Sequence, residues 1–188
     1  MKMDIILAPL KKDAIFLKKI KSKSEISEKD KADGYFIDAE EKEARKIIDS
    51  LRGQKKIIVV IGRDDLFNRR AIETLKIDYL VSPEAGWRKD TLKQRDSGLN
   101  HVVAKIAKKK SITILIDFSA VNKLKGKDKS LRLARIIQNI KICRKAKCRI
   151  KIATFAEKKQ ELRSERDIQA FGFSIGMSSE QVRDAMKF

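Results

Sequence analysis

The sequence predicts an α/β fold built on a mostly parallel sheet, either a (β/α) barrel or an open doubly wound sheet. Two observations lead there. Short continuous apolar runs recur along the chain, as expected of strands buried on both faces. Segments with helical periodicity lie between them, and such alternation implies right-handed crossovers. A third observation bounds the size: 188 residues with 42% hydrophobic content suit one domain, residues 1–188, with a full core.

The elements follow in order. "MDIILA" (3–8) is the first strand, ended by Pro9, and "GYFID" (34–38) is the second, opened by Gly34. In "EEKEARKIIDSLRG", Ala44, Ile47, Ile48 and Leu51 share one helical face; Glu40, Glu41 and Glu43 suit its positive N-terminal end and Gly53 its stop. "KIIVVIG" (56–62) is a strand closed by Gly62, and Phe67, Ala71 and Leu75 then mark a helix that Asp64 or Asp65 would cap. "DYLVS" (78–82) stops at Pro83. After it, Leu99, Val102, Val103 and Ile106 predict a helix over 98–109, with Asp96 or Ser97 as cap and Gly98 in the turn. "ITILIDFS" (112–119) is a strand, and "KLKGKDK" (123–129) the best loop candidate. Leu133, Ile136, Ile137, Ile140 and Cys143 form the stripe of a long helix. "RIKIATFA" (149–156) is the last strand, and two helices, in "SERDIQAFGFSIG" and "SSEQVRDAM", close the chain. That makes six clear strands, with room for one or two more.

Composition narrows function. Lys and Arg number 45 against 26 acids, for a net charge of +19. A balance that lopsided points to a polyanion, most commonly nucleic acid. Residues 121–151 hold twelve cations and one acid, Asp128. "WRKDTLKQR" adds Arg88, Lys89, Lys93 and Arg95 beside Trp87. Beyond them, His101, Lys105 and Lys108 share a face by spacing. Aromatics are 6% with no base-stacking signature, so shape and backbone recognition is expected. No apolar run reaches membrane-spanning length, and "MKMDIILAPLKK" reads as a buried strand, so the expected location is the cytoplasm.

Chemistry has thin support. Asp38, Asp64, Glu84 and Asp117 fall near strand ends, where active sites of such folds gather. Four carboxylates offer an alternative reading: a stand-alone metal-dependent nuclease or phosphoesterase. Yet helix caps explain two of them, and a single histidine is too few for a transition-metal phosphoesterase centre. No phosphate-binding glycine loop occurs. Cys143 and Cys148 match no zinc spacing and read as reduced, partly buried thiols. In "QRDSGLNHVVAK", a serine engaged as a cap could not also serve a His101 base, so a catalytic triad is not expected.

The stretch "VSPEAGWRKDTLKQRDSGLNHVVAKIAKKKSITILIDFSAV" resembles the core signature of archaeal ribonuclease P protein component 3, the family of the 30 kDa subunit of the enzyme. The Arg-Asp-Ser-Gly-Leu-Asn-His run, the apolar helix and the strand ending "IDFS" match in order. "LRSERD" and "GMS" resemble the family's C-terminal region. Likeness is good from about Ile77 to Ala185. The departure is "TFA" after the sixth strand, where the family carries a serine with Gly or Asp, so a family role at Thr154 or Phe155 does not carry over.

The resemblance implies a TIM-barrel-like single domain related to PHP-type phosphoesterase barrels, with metal ligands lost. It implies a subunit of the ribonucleoprotein that removes the 5′ leader of precursor tRNA. The RNA subunit would carry the chemistry with Mg²⁺, and this chain would bind no cofactor or metal and hold no catalytic residue. Implied partners are the ribonuclease P RNA, protein component 2, further protein subunits, and precursor tRNA through the holoenzyme. Candidate RNA or partner contacts are Arg88, Lys89, Lys93, Arg95, Asn100, His101, Lys105, Lys108, Arg132, Arg135 and Arg163; Asp96, Ser97 and Gly98 are the structural motif.

Overall fold

A computed structural model describes residues 4–27, 29–86, 88–90, 95–185 and 187–188. Seven parallel strands lie side by side in sequence order: β1 (Ile5–Ile6), β2 (Ile15–Ile20), β3 (Gly34–Ile37), β4 (Ile57–Ile61), β5 (Tyr79–Val81), β6 (Thr113–Asp117) and β7 (Ile150–Ala153). The ring closes through the residues just beyond β7. Phe155 N–H donates to Ile5 O at 2.9 Å, and Leu7 N–H donates to Ala156 O at 3.0 Å. Asp4 ties the same seam, accepting from Thr154 N–H at 2.9 Å and Thr154 Oγ1 at 2.6 Å. The fold is therefore the barrel rather than the open sheet.

Strand alternation separates two cores. Ile5, Leu17, Phe36, Val59, Val81, Leu115 and Phe155 fill the barrel interior. The intervening residues, such as Ile37, Ile58, Val60, Leu80, Ile114 and Ile152, face the helices. Those helices are α1 (Glu41–Ser50), α2 (Asp65–Thr74), α3 (His101–Lys109), α4 (Phe118–Lys123), α5 (Gly126–Ala146), α6 (Glu165–Ser174) and α7 (Ser179–Ala185). No helix among the described residues is long and apolar enough to cross a membrane.

Four expectations need correction. First, strand–helix alternation does not hold at the start of the chain. β2 follows β1 without a helix, and only a 3₁₀ turn (Lys23–Glu25) separates β2 from β3. β2 is hidden in the sequence because two lysines interrupt "IFLKKI". Lys18 and Lys19 point to opposite faces: Lys18 reaches Asp30 and Glu25 O, while Lys19 lies over the Phe36 ring and pairs with Asp38. Second, 123–129 is not a loop: α4 ends at Lys123 and α5 begins at Gly126. Third, α3 starts at His101, not 98, which turns its buried stripe to Val103, Ala104 and Ala107 and leaves Val102 62% exposed. Fourth, neither Asp96 nor Ser97 caps α3. Asn100 does, its Oδ1 accepting from Val103 N–H at 2.9 Å.

Candidate nucleic-acid interface

The candidate site is the crossover between β5 and α3 together with the outer face of α3. The backbone leaves β5 through Ser82, which takes a left-handed φ of 48°, and Pro83. It returns to α3 through Gly98. There φ is +74°, and a Cβ would sit 1.9 Å from Pro83 O, so only glycine fits where the two limbs of the loop cross.

Buried polar side chains lock this crossing. Asn68 of α2 donates from Nδ2 to Pro83 O at 2.9 Å, Gly98 O at 3.1 Å and Arg63 O at 3.2 Å, while its Oδ1 accepts from Arg63 N–H at 2.8 Å. Arg88 enters from the other side with its side chain 1% exposed. It donates to Asp65 at 2.6 Å, Pro83 O at 2.6 Å, Ala85 O at 3.1 Å, Arg63 O and Asp96. A planar five-donor fork suits that role, since one side chain satisfies carbonyls of two loops and two carboxylates.

The long helix α5 holds the second limb. Arg135 donates to Asp90 at 3.1 Å and to Arg88 O at 3.2 Å. Gln138 donates to Arg95 O and Asn139 to Ser97 O. Burial opposes ionisation of Asp90, but the Asp96 N–H and Arg135 outweigh it and hold its carboxyl below the usual range.

What remains facing outward is a smaller set than the sequence suggested. Lys89, Arg95, Asn100, Lys105 and Lys108 are exposed. Lys89, Arg95 and Asn100 line a cavity of about 310 Å³ with Asp65, Asp96 and Gly98. His101 is half-buried, with Nδ1 buried and unpartnered. Lys93 and Trp87 lie outside the described residues. Four further candidate contacts are engaged within the chain. Arg88 and Arg135 are engaged as described, and Arg132 pairs with the buried Glu84 at 3.3 Å. Arg163 donates to Gln160 O and Leu162 O, with its guanidinium over Phe118. Arg88, Arg132 and Arg135 thus serve carboxylates and carbonyls of the crossover.

The strand-end carboxylates are also occupied. Asp38 pairs with Arg63 at 3.2 Å, Asp64 caps α2 through Phe67 N–H, and Asp117 caps α4 through Ala120 N–H at 2.8 Å. Burial raises the Glu84 carboxyl and lifts that of Asp117 to about 6. Among the described residues, no three His, Cys, Asp or Glu side chains converge to hold a metal ion.

Asn68 and Asn139 were missed in the sequence, although a signal existed. Each is a polar residue inside an apolar helical stripe, Asn68 one turn before Ile72 and Asn139 between Ile136 and Ile140. Buried amides in such stripes find backbone partners.

Residues 13–187 match the family described as RNase P subunit p30. The chain belongs to that family. Among its relatives is ribonuclease P protein component 3 of Methanocaldococcus jannaschii, 28% identical over 130 residues, covering 69% of this chain and 53% of the relative. That of Thermococcus gammatolerans is 30% identical over 137 residues, covering 73% and 60%. This chain thus spans little more than half the length of the curated relatives it matches. A chain in the cryo-EM structure of archaeal ribonuclease P with mature tRNA superimposes with a TM-score of 0.66 at 25% identity, covering 81% of this chain and 64% of that one. An amidohydrolase crystal structure superimposes at 0.58 with 10% identity, over 83% of this chain and 41% of the other, a likeness of fold alone.

Within this p30-family barrel, the departure at Thr154 and Phe155 has a structural reading. Thr154 anchors the barrel seam to Asp4, and Phe155 packs edge-on to Phe36 in the interior.

Proposed function

We propose that this chain acts as a protein subunit of ribonuclease P, supporting the RNA that hydrolyses precursor tRNA to release its 5′ leader. The observation that carries this reading is the construction of the 88–101 crossover. Among its described residues, Asp90 and Asp96 are bonded to Arg135 of α5 and to Arg88, which leaves a ledge that presents Lys89, Arg95, Lys105 and Lys108. Among the described residues, the ledge has no nucleophile–base pair and no ligand set, so it is suited to position phosphates and not to break them. Phosphate neutralisation by several cations supplies affinity through counterion release, and the rigid ledge supplies register.

In this reading the RNA subunit carries the active site and its Mg²⁺, and the chain binds no metal or cofactor of its own. Its partners are the ribonuclease P RNA, protein component 2 and further subunits, with precursor tRNA reached through the assembled particle in the cytoplasm. Family membership supports this assignment. So does the likeness to a chain of archaeal ribonuclease P. The metal-dependent nuclease reading has the four carboxylates against it, since caps and ion pairs already engage them.

Reconstitution tests the proposal. Catalytic RNA, component 2 and precursor tRNA are combined at limiting Mg²⁺ with and without this chain. The chain should raise leader removal, and alone it should be silent with Mg²⁺ or Mn²⁺. Cleavage by the chain alone that disappears in Asp117→Asn would overturn the subunit reading in favour of the nuclease.

A further inference from the structure

The end of α5 brings two sulfur atoms together. Its apolar stripe finishes at Cys143, three residues before the last helical residue, Ala146. Lys147 then takes a left-handed conformation with φ 53°. Two bonds close the helix: Cys148 N–H donates to Cys143 O at 2.9 Å, and Lys147 N–H donates to Arg144 O at 3.2 Å. This paired pattern is the Schellman helix end, which places the side chains at its two outer positions against each other. Those positions ordinarily hold an apolar pair. Here both are cysteines, both free and buried.

The same end of the molecule carries a cavity of about 600 Å³ lined by Cys143 and Cys148, with five cations, among them Arg144, Lys147 and Arg149, against the two acids Glu180 and Asp184. The Cys148 thiol donates to Ile112 O at 3.8 Å and Arg149 O at 3.6 Å. The neighbouring Cys143 side chain and the Arg149 guanidinium lower the Cys148 thiol, while the neighbouring Cys148 and burial hold the Cys143 thiol well up.

We propose that Cys143 and Cys148 form a reversible intramolecular disulfide by exchange with a low-molecular-weight anionic disulfide entering this basic cavity. The Cys148 thiolate attacks one sulfur of the external disulfide, and the other sulfur leaves as a thiolate. Cys143 then loses its proton to solvent, and its sulfur attacks Cys148 Sγ and expels the second external thiolate. Two protein thiols are oxidised, and one external disulfide is reduced to two thiols that carry the released protons. Nothing in the fold must move far, because one helix cap holds both sulfurs. The bond staples α5, which carries Arg132, Arg135 and Asn139, to the start of β7.

The test uses the full chain, its fold checked by circular dichroism, and oxidised glutathione as the probe. After acid quenching, free thiols are alkylated and the peptides mapped by mass. The proposal expects both thiols to become protected together, with loss of two hydrogens, no glutathione retained, and full reversal by dithiothreitol. Cys143→Ala should stop at one glutathione on Cys148, and Cys148→Ala should slow modification at Cys143 at least tenfold. Two outcomes overturn the idea. One is a wild-type chain that keeps its reduced mass until it is unfolded. The other is a wild-type chain that retains glutathione, which would mean the sulfurs do not meet. The wild-type mass decides even where a variant fails to fold.

Discussion

Two sets of cations on neighbouring elements behave in opposite ways. Around the 83–98 crossover, Arg88, Arg132 and Arg135 point inward and pair with Asp65, Asp96, Glu84 and Asp90. On the outer faces of α3 and α5, Lys105, Lys108, Lys141 and Lys145 are exposed and form no ion pair among the described residues. The inward set is all arginine, whereas these four outward cations are all lysine. A guanidinium spreads its charge over a flat fork and can satisfy several fixed acceptors at once, whereas an ammonium is compact and strongly hydrated. The net charge of +19 therefore mixes two populations. One fixes the shape of the ledge, and the other is free to meet a polyanion.

The sharpest way to break this contrast is to remove an inward cation. Arg88→Ala removes the cation paired with Asp96 and Asp65 and the donor to Ala85 O, and leaves the carbonyls of Arg63 and Pro83 to Asn68 alone. Breaking a buried pair of this kind costs on the order of 3 kcal/mol. Urea unfolding should report a loss of about that size, whereas Lys105→Ala and Lys108→Ala should each stay within about 0.5 kcal/mol of wild type. Equal losses at all three positions would erase the distinction.

A second, smaller effect separates the capping residue from its neighbours. Asn100→Ala should cost about 1 kcal/mol, since its side chain alone holds the Val103 N–H. Ser97→Ala should cost less. Ser97 contributes mainly its carbonyl, which accepts from Asn139, and its hydroxyl makes only a long 3.4 Å bond to Leu99 O. The reverse order in unfolding experiments would return the cap to Ser97.

The outward set is probed by salt. Charge reversal at Lys105, Lys108, Lys141 and Lys145 should leave stability nearly unchanged while flattening the dependence of RNA affinity on log salt. Each lost phosphate contact is worth slightly under one unit of slope. Reversal of Glu40, Glu41 and Glu43 on α1 provides the comparison. An equal change in slope from both regions would show that the lysines are not where RNA docks.

The sequence made six of the seven strands readable because burial on both faces writes itself as short apolar runs. β2 was not readable, because two adjacent lysines break its apolar run and their partners, Asp30 and Asp38, are joined to them only by the fold. The long helix was placed by Leu133, Ile136, Ile140 and Cys143, yet its early start was hidden by the Gly126 that looked like a loop. At the site, "RDSG" offered three capping letters before the true cap, Asn100, so local propensity pointed one turn too early. The inward arginines could not be told from outward ones by counting charge. Their partners lie 8 to 48 residues away in sequence, and only the closed barrel brings them together.

The smallest effect concerns Asp117, at the mouth of the barrel between the two sets. Burial raises its carboxyl from the ordinary 3.8 to about 6. A carboxyl raised on folding is protonated in the native chain over a range where the unfolded chain has already released the proton. Stability must then fall as pH rises from about 4 to about 6, because the native state binds more protons there. Asp117→Asn keeps an oxygen to accept the Ala120 N–H and removes the titration. Unfolding measured across that window should give a shallower fall for the variant and higher relative stability at pH 7. Glu84 is raised in the same sense, so the fall is reduced and not abolished. Leader removal by a particle reconstituted with the variant should match wild type, since a helix cap needs no charge. A variant that keeps the wild-type pH slope would show that Asp117 is ionised in the native barrel. A variant that folds and assembles but cuts precursor tRNA a hundredfold more slowly would give this carboxylate a chemical role that its position as a cap does not explain.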